Sequence, residues 1–206
     1  STPLVDTLKP PAPAEAMRGY RTLEAWVRDW NLPEAPVQEA AFLNVSATIR
    51  LDGLVVGRGT SHAKDGSSLY LAAKEAMSEA ERRLPWPHDA LGEKARREEA
   101  GRMLLSVEFG GAPVPFAAQT WAEFDLLVQA GREGLAVRVG ELEAVMFPSQ
   151  MSAAGYAPSE GAIALLARVS GDAGAVIRTD PKSQPAKLSK DRGAVFYKFP
   201  VVHLAQ

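Results

Sequence analysis

The sequence contains no cysteine, which excludes disulfide bonds, thiolate catalysis and thiolate metal sites. It also lacks an excess of either charge, and a net charge of −2 offers no general attraction for nucleic acid or for an anionic membrane surface. No apolar run approaches the length that a membrane-spanning helix requires. What is present, 46% hydrophobic and 23% charged residues in a chain of 206, is typical of a soluble globular protein.

Proline is concentrated at the start of the chain. Residues 1–13 include Pro10, Pro11 and Pro13, and this segment predicts an extended proline-rich arm outside the core. Behind the arm we expect a single domain over residues 14–206, in a cytoplasmic protein. Because the chain begins with Ser1 and not with Met, the sequence leaves open whether a segment or domain precedes it. The arm is expected to tether the domain to that part or to a protein partner.

The segment after the arm has helical periodicity. Tyr20, Leu23, Val27 and Trp30 recur at steps of three and four residues and mark one face. This face either packs on the sheet of the domain or anchors a protein partner, since aromatic side chains are favoured at interface centres. Under the second interpretation the interaction residues are Tyr20, Val27 and Trp30.

The first predicted hairpin begins with the strand Leu43–Leu51, in which apolar and polar residues alternate. The pair Asp52–Gly53 favours a type I′ turn, because both central residues of that turn need positive φ. The return strand Leu54–Thr60 contains two glycines, which indicate a bulge or a close backbone approach. An alanine-rich helix follows, capped by Ser67 or Ser68, and its alanines imply close contact with a sheet.

The second predicted hairpin pairs Gly134–Val139 with Ala144–Phe147. Pro148 lacks a backbone N–H and therefore ends the ladder. A loop is expected next, until Pro158 occupies the first turn of a helix. The apolar face of that helix consists of Ile163, Leu166 and Val169.

The remaining elements complete an α+β order, with a mainly antiparallel central sheet flanked by helices. Thr120 and Glu123 form a predicted capping box, in which each side chain accepts a hydrogen bond from a free backbone N–H. The other expected elements are the strands Met103–Phe109, Ala175–Arg178 and Ala194–Leu204, the solvated helix Asp89–Gly101 and the polar loop Thr179–Gly193.

One ordered pattern stands out in the second half of the chain: a G-L-x-x-R-x-G turn, a strand ending in F-P-x-Q, a G-aromatic pair and a short amphipathic helix. Its residues are Gly134, Leu135, Arg138, Gly140, Phe147, Pro148, Gln150, Gly155 and Tyr156. The pattern resembles the AMMECR-type domain family, although that family usually has tryptophan in place of Tyr156. The resemblance covers about residues 40–204 and implies a mixed α/β body with a central antiparallel sheet and a smaller lobe.

The AMMECR-type family carries L-R-G-C-I-G in the hairpin after its first long strand, and the cysteine is its candidate for chemistry. Aligned hairpin on hairpin, Val55–Thr60 occupies this motif here, with Arg58 in place of the cysteine. A guanidinium stays protonated and cannot act as a nucleophile, so covalent activity proposed for the family is not expected here. Arg58 is either an exposed strand arginine or a binding residue for a carboxylate or phosphate. The candidate binding residues are Gly57, Arg58, Gly59, Thr60 and His62.

No catalytic, metal or cofactor site is predicted. Ser61, His62 and Asp65 have the residue types of a hydrolase triad, but neighbours in one loop rarely reach its geometry and no G-x-S-x-G turn is present. His88 and His203 stand alone, without the spacing of metal ligands.

Three functions follow as expectations. The first is a non-catalytic AMMECR-like scaffold or protein-interaction module. The second is an enzyme or small-molecule-binding domain with a pocket near Arg58 and His62. The third is a double-stranded RNA-binding module, suggested by the glycine-rich strand before an alanine-rich helix. That module grips phosphates with a lysine cluster, which His62 and Ala63 replace here, so no nucleic-acid partner is expected.

Overall fold

The computed structural model describes residues 9–170 and 183–206. The chain divides into two compact units. The first unit consists of Pro10–Gly111 and Val202–Gln206, and the second consists of Lys9 and the described part of Ala112–Val201. The single domain predicted over residues 14–206 includes both units. That the two units form one domain stays a prediction.

The described residues form an α+β fold with antiparallel strand pairing, as the sequence predicts. The helices are α1 (Pro13–Asp29), α2 (Ser68–Arg83), α3 (Ala90–Ala100), α4 (Trp121–Leu127), α5 (Pro148–Ala154), α6 (Pro158–Val169) and α7 (Pro185–Arg192). The strands are β1 (Asn44–Leu51), β2 (Leu54–His62), β3 (Leu104–Gly110), β4 (Val114–Phe116), β5 (Glu133–Val139), β6 (Leu142–Met146) and β7 (Val195–Ala205).

The first unit is built on the sheet order β2-β1-β3. The predicted hairpin is confirmed: β1 pairs with β2, and Asp52 and Gly53 have φ values of 51° and 80°. Alternate residues of β1 enter the core, where α1 also contributes one face. The core residues of these two elements are Ala16, Tyr20, Leu23, Val27, Val45, Ala47, Ile49 and Leu51.

Helix α2 lies close to strand β2 because two glycines leave room for its backbone. A Cβ added at Gly57 would lie 2.0 Å from the carbonyl oxygen of Ala76, and one added at Gly59 would lie 2.1 Å from that of Ala72. The predicted contact between an alanine-rich helix face and a sheet is therefore confirmed. Ser67 is the N-cap residue of α2, as predicted, but its side chain accepts no hydrogen bond from the first turn of the helix.

The arm differs from its prediction in the part that the structure describes. Pro11 is buried, and Pro13 is the first residue of α1, where a missing backbone N–H costs nothing. Residues 10–13 therefore belong to the first unit, while residues 1–8 lie outside the described part of the chain.

The second unit contains the sheet order β7-β5-β6, with β4 paired to β7. The predicted hairpin is confirmed, but β6 begins at Leu142, two residues earlier than expected, because Gly140 and Glu141 form a tight turn. Helix α5 occupies the place of the predicted loop. Phe147 is its N-cap, and the Gln150 side chain accepts a hydrogen bond from the Phe147 N–H at 2.8 Å.

Two further local predictions have mixed outcomes in the second unit. Thr120 caps α4 as expected, but the Glu123 carboxylate accepts from the N–H of Gln119 rather than from that of Thr120. The predicted polar loop over 179–193 is wrong where it is described, since Pro185–Arg192 is helical. The predicted strand Ala175–Arg178 lies outside the described residues.

Candidate functional site

The glycine-rich part of β2 serves the packing of α2. Gly57 and Gly59 face this helix, whereas Arg58 and Thr60 lie on the opposite face of the strand. The outward backbone N–H groups of β2 are bound by two carboxylates of α2. The N–H of Arg58 donates to Glu79 at 3.0 Å, and that of Thr60 donates to Glu75 at 3.3 Å. At these positions the side chains of α2 occupy the hydrogen-bonding edge of β2.

The residue types of a hydrolase triad are not assembled around His62. Its ring Nδ1 is hydrogen-bonded to the side-chain oxygen of Asn44. The Asp65 carboxylate instead accepts hydrogen bonds from the hydroxyl of Ser67 at 2.5 Å and from its N–H at 3.0 Å. These hydrogen bonds lower the pKa of Asp65. Asp65 therefore stabilises its own turn and does not orient the imidazole.

The face of the first sheet that points away from α2 carries a row of polar side chains, here called the polar layer. Two rungs of the ladder define it, Thr60–Ser46–Glu108 and Arg58–Thr48–Ser106. Arg50 extends it, since its Nη1 donates to the Ser106 hydroxyl at 3.2 Å. Its central residues are buried, with exposed fractions of 1% for Ser46, 3% for Thr48 and 4% for Glu108. The alternation in Leu43–Leu51 predicted a polar face but not its burial.

The predicted interaction residues separate into two groups. Tyr20 and Val27 are buried in the core of the first unit, so they are not available to a partner, and for them the packing interpretation is correct. The Tyr20 hydroxyl donates to the carbonyl of Leu105 at 3.3 Å. Burial, together with the nearby Glu24 carboxylate, raises the pKa of Tyr20 to about 12. Trp30 is half-buried at the end of α1.

Trp30 lines an open cleft of about 810 Å³ in the first unit, here called the Trp30 cleft. The residue ends α1 in the left-handed conformation, with φ 46°. Its indole Nε1 donates to Glu81 at 3.0 Å, and its ring meets the edge of Trp86 with ring centroids 4.9 Å apart. The lining residues are Arg28, Asp29, Trp30, Asn31, Glu81, Glu93, Arg96 and Arg97.

The charged side chains of the Trp30 cleft are partly paired with one another. Arg97 donates to Glu93 at 2.8 Å, and Arg28 Nε contacts Glu24 at 3.3 Å. Arg96 donates from Nη1 to the carbonyl of Pro87 at 3.4 Å. Each guanidinium has five N–H donors, so Arg28 and Arg96 keep donors for a ligand. No local sequence pattern marks these two arginines, because residues far apart in sequence line the cleft.

Two further features are absent from residues 9–170 and 183–206. No group of three or more histidine, aspartate or glutamate side chains is placed to hold a metal ion. No helix there combines the length and apolar character that a membrane crossing requires.

The fold and these surfaces define an α+β protein with antiparallel sheets and a mixed-charge cleft beside a tryptophan. No family model and no curated protein matches the chain. Among solved structures it is similar to an uncharacterized protein from Pyrococcus horikoshii, with a TM-score of 0.50 and 16% sequence identity. The match covers 91% of this chain and 87% of that chain. At this identity the likeness concerns the fold alone.

Proposed function

We propose that the chain is a non-catalytic protein-interaction module of AMMECR-like type, and that the Trp30 cleft binds a segment of its partner. The partner segment presents a carboxylate beside an apolar side chain. The proposed compartment is the cytoplasm, as expected from the sequence, and fractionation of cells that express the natural protein would test it.

The AMMECR-like part of the proposal is supported by the conformations of the motif residues. Gly140 has φ 61° in the turn of the second hairpin, and Gly155 has φ 70° at the end of α5. Both values favour glycine, since other residues are strained there. Gln150 caps the same helix from its third position. These three residues of the motif thus have local structural roles that favour their residue types.

The position of Trp30 is the observation that carries the proposed binding surface. A tryptophan in the left-handed region is strained by about 1–2 kcal/mol, and the structure holds it there through Glu81 and Trp86. Tryptophan and arginine are the residues most enriched where binding energy concentrates. Arg28 and Arg96 line the same cleft and keep N–H donors that match a carboxylate. The cleft therefore offers an apolar face and a cationic fork together.

An NMR titration tests this function. Uniformly ¹⁵N-labelled protein is titrated with a short peptide that contains glutamate and phenylalanine, and in parallel with the same peptide carrying glutamine for glutamate. We expect the acidic peptide to shift the indole N–H resonance of Trp30, with a response that weakens as salt is added. The glutamine peptide is expected to shift it far less.

Charge-reversal variants separate the cleft from general electrostatics. Arg96→Glu is expected to abolish the shift, while Arg21→Glu, an exposed arginine on the same helix as Trp30, retains it. A Trp30 resonance that responds equally to both peptides, or an Arg96→Glu variant that binds like the unmodified protein, would contradict the proposal.

A further inference from the structure

Strand β2 forms one edge of the first sheet, and it is long for an edge strand. It has nine residues, and among the described strands it pairs only with β1. A long edge strand presents unpaired N–H and C=O groups to any further strand, and natural proteins prevent such pairing by covering or charging the edge. The polar groups on the outer edge of β2 therefore need partners from elsewhere in the fold.

Three side chains of α2, spaced four residues apart, supply these partners and are here called the edge cover: Glu75, Glu79 and Arg83. The two carboxylates accept from outward N–H groups of β2, as described above. Arg83 donates from Nη1 to the carbonyl of Val55 at 3.3 Å. Its Nη2 also lies 2.6 Å from the Glu79 carboxylate, which links two members of the row. The edge cover therefore binds both donors and acceptors of the strand edge.

The spacing of the edge cover matches the spacing of the strand. Four residues of an α-helix advance about 6 Å, and two residues of a strand advance about 6.6 Å. The two carboxylates thus meet Thr60 and Arg58, which are two residues apart on β2. The next step, to Val55, spans three strand residues, because the register shift between Ile49 and Arg50 adds one residue to β2. One helix face therefore follows the outer edge from Val55 to Thr60.

We infer that the edge cover prevents β2 from pairing with the same strand of a second copy of this chain. A second copy presents the same edge, and two antiparallel strands pair self-complementarily about a two-fold axis. β-Branched residues favour strand pairing, and Val55, Val56 and Thr60 supply three of them. The charged groups of the edge cover hold the backbone groups that a partner strand needs. Two copies would also bring like charges together in one interface.

The edge cover lies at the surface of the first unit, so its removal uncovers the strand edge. The side chain of Arg83 is 57% exposed and that of Glu79 is 23% exposed. Glu75 is also exposed. The edge cover is separate from the Trp30 cleft, since none of its three residues lines that cleft.

Sedimentation velocity over a range of protein concentrations tests the inference in the full chain. The variant Glu75→Ala/Glu79→Ala removes both acceptors, and we expect its self-association constant to exceed that of the unmodified protein at least about tenfold. Glu15→Ala/Glu98→Ala removes the same charge from exposed helix positions and is expected to leave self-association unchanged. Glu75→Gln/Glu79→Gln keeps an acceptor oxygen at each position and is expected to associate less than the alanine variant.

Two further measurements show whether self-association uses β2. In the alanine variant, amide hydrogen exchange at Arg58 and Thr60 is expected to be fast at low protein concentration and slow at high concentration. Adding Thr60→Pro to this variant removes an outward N–H without removing a hydrogen bond to β1. This addition is expected to return self-association to the level of the unmodified protein.

Three results would each overturn the inference. The first is self-association of the alanine variant equal to that of its control, and the second is self-association that Thr60→Pro leaves unchanged. The third is exchange at Arg58 and Thr60 that slows with concentration in the unmodified protein. If the double alanine variant does not fold, Glu75→Ala alone uncovers the Thr60 N–H and is measured in the same way. The cleft variant Arg96→Glu is expected to associate like the unmodified protein, so the two proposals fail separately.

Discussion

Gly59 of strand β2 lies directly under the carbonyl oxygen of Ala72 in helix α2, at a separation that excludes any side chain. A Cβ at this position would be 2.1 Å from the oxygen and 2.7 Å from the N atom of Ala76. Both neighbours are backbone atoms of one helix, which cannot move without displacing the whole of α2. The glycine is therefore required by packing, since its φ is not among the positive values of the chain.

We expect Gly59→Ala to lower the free energy of unfolding by about 1–3 kcal/mol, the usual cost of overpacking. Urea denaturation measures the loss. Gly101→Ala is the matched control, because φ is −64° there and the nearest atom lies 3.5 Å from the added Cβ. The control is expected to gain up to about 1 kcal/mol, since alanine restricts the unfolded chain. Equal losses in the two variants would show that α2 does not lie this close to β2.

At position 30 we expect glycine to be more stabilising than alanine, the reverse of their usual order in a helix. Both Trp30→Ala and Trp30→Gly lose the edge contact with Trp86 and are expected to be less stable than the parent. Because φ is 46°, the glycine variant is expected to be more stable than the alanine variant by about 1 kcal/mol. Leu126, exposed within α4, provides the control. At this position the alanine variant should be more stable than the glycine variant. The same order at both positions would contradict a left-handed Trp30.

The raised pKa of Tyr20 predicts a loss of stability at alkaline pH. Burial disfavours the charged phenolate first, and the Glu24 carboxylate adds to this, so the pKa rises from 10.0 to about 12. The native state then holds the proton more tightly than the unfolded state. The stabilisation is complete below pH 10 and disappears between about pH 10 and about pH 12. Urea denaturation over this pH range should show that the free energy of unfolding falls less steeply with pH in Tyr20→Phe than in the parent. Tyr156→Phe, at an exposed tyrosine, should decline like the parent, and parallel slopes for all three would refute the assignment.

Asp125, a residue of helix α4, caps helix α6, and its replacement should lower the stability of the protein. Its carboxylate accepts from the Ser159 N–H at 2.7 Å and from the Ser159 hydroxyl at 2.9 Å. Asp125→Ala is expected to cost about 1–2 kcal/mol, as for the loss of a local cap, and Asp125→Asn should cost less because one acceptor oxygen remains. Asp191→Ala removes a surface ion pair with Lys187 in the same unit and should change stability by less than about 1 kcal/mol. Chemical denaturation that ranks Asp191→Ala as the more damaging change would contradict this role.

The sequence predicted the hairpins well because their signals are local. Positive φ at Asp52 and Gly53 is a property of those two residues, and the alternation beside them sets which face is apolar. The sequence does not reveal helix α5, because Phe147 followed by Pro148 predicts the end of a ladder, whereas a proline also starts a helix. Helix α7 was missed because its charged sequence has little apolar periodicity, and the buried Leu188 alone did not reveal it.

The candidate sites likewise combine features that follow from local sequence with features that depend on tertiary contacts. Residue type and spacing alone account for the turns, the strand faces, the absence of thiol chemistry and the arginine at position 58. Contacts between distant segments are needed to know that Gly57 and Gly59 leave room for a helix, that Tyr20 and Val27 are core residues, and that the Ser46 hydroxyl is buried without a partner. Such contacts also bring Trp30, Glu81 and Arg96 together in one cleft. Burial and cleft formation depend on which distant segments meet, and no spacing within one segment carries that information.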